Sequence, residues 1–208
     1  MLQKVSRLVR RLLHGRPVVV VSGLPRSGTS MAMKMLEAGG VPLVTDGLRT
    51  ADEDNPKGYY EDERVMNLAT MDDRSWLTAA RGKGIKIISH LLRELPKSNN
   101  YKVLFIRRDL SEILASQAKM LDRRGEESTT DDARMKQLFE ADIWRARYQL
   151  RNGSHFDWLE LEHRGFIENP AEQAERIRDF LEMDLDVDAM AAVVDRSLHR
   201  NVAEKLST

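Results

Sequence analysis

The sequence has no cysteine. Disulfides, a thiolate nucleophile and thiolate metal sites are therefore excluded. It has no net charge either, with 33 Lys and Arg against 33 Asp and Glu. That balance argues against nucleic acid as a partner, and any anion site has to be a local cluster. No apolar run approaches the length of a membrane span, so no transmembrane segment is expected. Internal repeats, low-complexity segments and a second domain are missing as well. What is there is 208 residues, 41% hydrophobic and 32% charged. That is the composition of a globular chain, long enough for one α/β domain with its own core. A cytoplasmic location is the expectation.

The first sixteen residues are read separately from the domain at 17–208. Lys4, Arg7, Arg10, Arg11 and Arg16 alternate there with Leu2, Val5, Leu8, Val9, Leu12 and Leu13. This is a basic amphipathic helix without the apolar core and cleavage site of a signal peptide. Packing on the domain, or a frayed end, is the expectation, and weak contact with a membrane surface is the alternative.

The domain is organised around 17–38. Pro17-Val18-Val19-Val20-Val21 reads as a buried strand, and Met31 to Ala38 as a helix with Met31, Met35 and Leu36 on one side. Between them lies Ser22-Gly23-Leu24-Pro25-Arg26-Ser27-Gly28-Thr29-Ser30. Its glycines permit a sharp turn and a close backbone approach to a ligand. The first helix amides lack intrahelical partners and sit at the positive end of the dipole, which makes an anion site. The spacing is close to a P-loop, but Thr29 stands where the P-loop lysine belongs and Arg26 is the loop's only cation.

Further strands are expected at 85–88, 101–106 and 156–161, and a short apolar piece at 41–44. Helices are expected at 62–76, 109–124, 131–150, 169–182 and 188–194, with Asp109 and Glu112 spaced as a capping pair. Strands alternating with helices predict an α/β fold of three layers: a parallel sheet with helices on both faces, like that of P-loop NTPases. Ligands in such folds bind at the carboxyl ends of the strands. Arg26, Lys86, His90, Arg107 and Arg108 all fall at strand ends, so they suit a ligand with several phosphate-like groups. No strand ends in an apolar run followed directly by Asp, so the magnesium carboxylate of a kinase or NTPase is missing. No metal is expected.

Leu24-Pro25-Arg26-Ser27-Gly28-Thr29-Ser30 resembles the loop by which sulfotransferases hold the 5′-phosphosulfate of 3′-phosphoadenosine 5′-phosphosulfate. The run 102–116 resembles that family's 3′-phosphate segment, with Arg108 and Ser116 at the matching positions. Leu159-Glu160-Leu161-Glu162, Asn169-Pro170 and Ile177-Arg178-Asp179-Phe180-Leu181 are similar to its closing strand and helix, so the likeness spans roughly 17–185.

The resemblance implies sulfonate transfer from that donor, as co-substrate, to a hydroxyl or amine of a small-molecule, glycan or lipid acceptor. Pro25, Arg26, Ser27, Gly28, Thr29, Ser30, Arg108 and Ser116 would bind the donor, and Arg26 and Lys86 would stabilise the leaving phosphate. Glu61 is the first choice of base, Asp46 the second and His90 the third. The chain departs from the pattern in three places. Met31 replaces an aromatic, His90 lies four residues rather than two from Lys86, and the Arg-Lys-Gly clamp is missing, with Arg196 and Arg200 as stand-ins. The competing readings are a kinase or other ATP-type enzyme and a non-catalytic nucleotide-binding module.

Overall fold

A computed structural model describes residues 9–47, 60–126 and 130–195. Strand β1, Val18–Gly23, is buried at all six positions. Its side chains alternate between two cores. Val18 and Val20 join one cluster and Val19 and Val21 the other. A strand covered on both faces needs an unbroken apolar run, which is why four valines stand in a row. Each buried valine contributes roughly 1.5–3 kcal/mol relative to exposure.

Helix α1 (Thr29–Ala38) follows, then the short α2 (Glu63–Met66), β2 (Gly84–Lys86) and β3 (Tyr101–Arg107). Helices α3 (Leu110–Arg124) and α4 (Asp132–Asn152) lead into β4 (Phe156–Glu162). Helices α5 (His163–Glu168), α6 (Pro170–Leu181) and α7 (Val187–Ala192) complete the described chain. The four strands form one parallel sheet in the order β2-β1-β3-β4. One face packs α1, α6 and α7 against Val19, Val21, Leu104 and Ile106. The other packs α4, α2 and two 3-10 helices against Val18, Val20, Val103 and Phe105. The expected layered parallel α/β architecture is therefore the observed one.

Three local expectations need correction. The helix expected at 62–76 stops at Met66, and a 3-10 helix follows only at Ser75–Ala80. Arg74 Nε donates to the Leu68 carbonyl at 2.9 Å, and the Asp73 carboxylate accepts the Ser75 amide at 2.8 Å. Both side chains capture backbone groups that a continuous helix would use itself. The apolar piece at 41–44 is a single bridge, Leu43 to Gly84, rather than a strand. The strand expected to Ile88 ends at Lys86, and Ser89–Glu94 turns as a 3-10 helix, tied to α4 through a hydrogen bond from Ser89 Oγ to Asp142. Asp109 caps α3 by accepting from Ser111 N and Glu112 N. The Glu112 carboxylate accepts from Arg108 Nε at 2.8 Å.

Candidate functional site

The site is built where the loop after β1 meets the ends of β2 and β3. Ser27 N donates to the Leu24 carbonyl at 3.2 Å, closing a tight turn. Two glycines are required there. A Cβ at Gly23 would lie 2.5 Å from the Ile106 carbonyl oxygen on neighbouring β3. Gly28 has φ +101, and a Cβ there would lie 2.5 Å from Cδ2 of the buried His163 ring. Arg26 also has a positive φ, 66°, an uncommon conformation for a side-chain-bearing residue. The amides of Thr29 and Ser30 open α1, where a helix leaves its first N–H groups without intrahelical partners.

On the β3 side, the loop and the segment 108–116 are in contact. The Arg26 Nε donates to Ser116 Oγ at 3.0 Å. Arg108 Nη1 donates to the Arg26 carbonyl at 3.2 Å, while its Nε donates to Glu112. The Arg108–Glu112 pair is about nine-tenths buried on both sides, at 9% and 10% side-chain exposure. A buried pair of this kind depends on both members, since removing one leaves an uncompensated charge.

On the β2 side, Lys86 Nζ lies 2.9 Å from Glu61 Oε1 and donates to Ser30 Oγ at 3.4 Å. Glu61 is held there by its own backbone. Thr45 Oγ1 and Asp46 N donate to its carbonyl at 2.9 and 3.1 Å. Tyr60 before it takes φ 52 and donates its hydroxyl to Glu37 Oε2 at 2.8 Å. Burial, with the Glu37 carboxylate beside it, pushes the Tyr60 phenol up to about 12.

The structure therefore joins Lys86, Ser30 and Glu61 in one group and Arg26, Arg108 and Ser116 in another. Asp46 is exposed, and its Oδ2 accepts the Glu63 amide at 2.6 Å, so it fixes the Glu61 segment. His90 is exposed on the 3-10 helix and makes none of the contacts that join Lys86, Ser30 and Glu61. Pro25 is exposed at the loop tip, and Thr29 is 8% exposed. Arg107 turns away to Glu160 at 3.5 Å. Arg196 and Arg200 lie outside the described residues.

Two residues at the site were not among the site residues expected from the sequence. Glu112 orients Arg108, and the Arg four residues before it was the available signal. His163 opens α5 and packs its ring against the loop at Gly28. No motif marks it.

The donor set fits a phosphate-bearing ligand. Ser27 Oγ is buried and has no hydrogen-bond partner among the described residues. A buried hydroxyl left in that state beside the first amides of α1 is suited to an anion that accepts from both. Among the described residues, no group of three His, Asp or Glu side chains gathers as a metal site.

This arrangement of loop, sheet and flanking helices is the P-loop-like α/β fold of sulfotransferases. The crystal structure of a sulfotransferase from Alicyclobacillus acidocaldarius matches with a TM-score of 0.50 at 16% identity, covering 83% of each chain. Mouse sulfotransferase SULT7A1 complexed with PAP matches with a TM-score of 0.52 at 14% identity, covering 98% of this chain and 72% of that one. The sulfotransferase domain from the curacin biosynthetic pathway matches at 0.51 and 14% identity, over 87% and 79% of the two chains. At these identities the likeness is one of fold. No family model and no curated protein matches the chain.

Proposed function

We propose that the protein is a sulfotransferase that moves the sulfonate of 3′-phosphoadenosine 5′-phosphosulfate onto a hydroxyl or amine of its acceptor. One observation carries the reading. Two segments about 90 positions apart, each resembling a phosphate-binding motif of one enzyme family, meet through Arg26 and Ser116 at 3.0 Å. Sulfotransferase structures sharing this fold include one in complex with PAP, which supports a donor of that class.

In the proposed reaction the acceptor oxygen or nitrogen attacks sulfur in line, and the bridging oxygen leaves with the phosphate. The loop amides, Ser27, Thr29 and Ser30 hold the 5′ end. Arg108 and Ser116 hold the 3′-phosphate, and Glu112 keeps Arg108 aimed. Lys86 sits between Ser30 and Glu61, within reach of charge that builds on the leaving oxygen. Arg26 adds a second cation there once its bond to Ser116 gives way to the donor. Glu61 takes the acceptor proton. The protein's work is alignment and charge stabilisation.

Calorimetry with adenosine 3′,5′-bisphosphate and with ATP tests the donor class. The bisphosphate is expected to bind and ATP to bind far more weakly. Tighter binding of ATP overturns the assignment in favour of an ATP-using enzyme. Transfer is also expected to continue in a metal chelator, because the scheme calls for no metal.

Arg108→Ala is expected to weaken bisphosphate binding by about one to two powers of ten, the loss of one charged hydrogen bond. Ser116→Ala should cost less, since a neutral hydroxyl makes the weaker bond. Melting has to be followed alongside, because Arg108→Ala strands the buried Glu112 carboxylate. Unchanged affinity in both variants would remove this segment from the donor site.

A further inference from the structure

Residues 9–14 are helical and lie against the turn that precedes β3. Arg10 holds them there. Its Nε donates to Asn100 Oδ1 at 2.8 Å, and its Nη2 to the Lys97 and Asn99 carbonyls at 3.1 Å each. Asn100 Nδ2 returns a bond to the Arg10 carbonyl at 2.9 Å. With the arginine turned inward, the leucines face out. Leu12 is 79% exposed, Leu13 72% and Val9 46%. This inverts the ordinary arrangement, in which an amphipathic helix docks through its apolar side. The contacts that hold these described residues on the domain are polar ones, made by Arg10 and Asn100.

The charge of the chain says what fits that side. Five of the 33 basic residues (Lys4, Arg7, Arg10, Arg11 and Arg16) and none of the 33 acidic ones fall in the first sixteen positions. The rest of the chain is acidic by the same five charges. A short apolar strip with the exposed Arg11 and Arg16 next to it in sequence, on a body of opposite charge, matches an anionic lipid surface, where apolar side chains enter the headgroup boundary and cations add attraction. No helix among the described residues is long and apolar enough to cross a membrane. Contact of this kind lies on the surface.

We infer that residues 9–16, through Leu12, Leu13 and the exposed Arg11 and Arg16, dock the protein on anionic bilayers. The strands place this face and the candidate site at opposite ends. Arg10 binds beside the start of β3, and the loop, Lys86 and Arg108 lie at or just past the carboxyl ends of β1, β2 and β3. A docked molecule keeps its site on the aqueous side. The inference is independent of the sulfonyl-transfer reading, and neither stands or falls with the other.

The test is cosedimentation of the full chain with vesicles of phosphatidylcholine alone and with vesicles containing phosphatidylserine. Binding is expected only to the second, weakening as salt is raised. The double substitution Leu12→Glu and Leu13→Glu changes only exposed side chains, so the fold and melting temperature should hold while vesicle affinity falls by about tenfold or more. Binding that fails on the anionic vesicles, or that persists unchanged in the double variant, overturns the proposal. So does light scattering that shows wild-type dimers made monomeric by the same substitutions, which would assign the face to a second copy of the chain.

Discussion

Glu61→Gln is expected to lower turnover by about two to four powers of ten, the range for losing a positioned general base, with donor affinity kept. The amide is the same size as the carboxylate and can still accept from Lys86, so the local geometry should survive. What it cannot do is take the acceptor proton. Thr45 and Asp46 hold the Glu61 backbone, and Lys86 holds its side chain 2.9 Å away, beside Ser30 of the loop. A residue serving only as an ion-pair partner would behave differently. The pair is partly exposed, at 16% and 32% of the two side chains, and such pairs contribute little to stability. In that case Glu61→Gln would leave turnover nearly normal.

The measurement is single-turnover transfer to a reporter acceptor, with bisphosphate affinity determined in parallel. Asp46→Asn and His90→Asn are the comparisons. Asparagine at 46 can still accept the Glu63 amide, so turnover should stay within a few-fold of normal. His90 is exposed and apart from the cluster, so its substitution should be silent. If His90→Asn abolished transfer while Glu61→Gln did not, the proton would leave through the histidine.

The parts of this fold legible in the sequence are those where one local pattern decides the outcome. Four valines in a row read as a strand buried on two faces, and Gly23 and Gly28 flank the loop at two positions that admit no side chain. Strand β3 was equally plain. The misread parts are those where side chains compete with the backbone. Nothing in 62–76 reveals that Arg74 takes the Leu68 carbonyl. Asp109 caps its helix as the spacing predicts, but nothing in that spacing reveals that the Glu112 carboxylate pairs with a buried Arg108. The site divides in the same way. Its loop is local and was found from spacing. Ser116 came from resemblance alone, and its contact with Arg26 crosses 90 positions. His163 reaches Gly28 only because β4 and β1 flank β3 in register, a fact of sheet order that no stretch of sequence contains.

The stability of the protein is expected to fall by about 3 kcal/mol as pH drops from neutral to 4, through one residue far from the site. His155 immediately precedes β4, is 3% exposed, and has no hydrogen-bond partner for either ring nitrogen among the described residues. It sits between Phe156, at 4.0 Å between ring centroids, and Tyr101, at 5.9 Å. Burial, then the cations of Arg10 and Lys97, push the imidazole down from 6.5 to about 4. Above pH 6.5 the ring is neutral in the folded and unfolded chain alike, and it imposes no pH dependence. Below 6.5 the unfolded chain takes up a proton that the folded chain refuses until about pH 4. Unfolding is therefore favoured progressively across that window, by about 1.4 kcal/mol per pH unit, and the loss levels off below it. Carboxylates such as Asp62 and Asp109, held below their usual range by Arg64 and by Ser111, add acid lability at the lower end. The contribution of His155 is consequently read as a difference. Urea unfolding of wild type and His155→Leu at pH 7.5 and at several lower values should give a shallower acid slope for the variant between 6.5 and 4. At pH 7.5 leucine should be neutral or mildly stabilising, because it replaces a buried polar ring without partners by an apolar side chain. Identical slopes for the two proteins would mean that the imidazole reaches water or a partner in solution, and that its burial is not what makes the fold sensitive to acid.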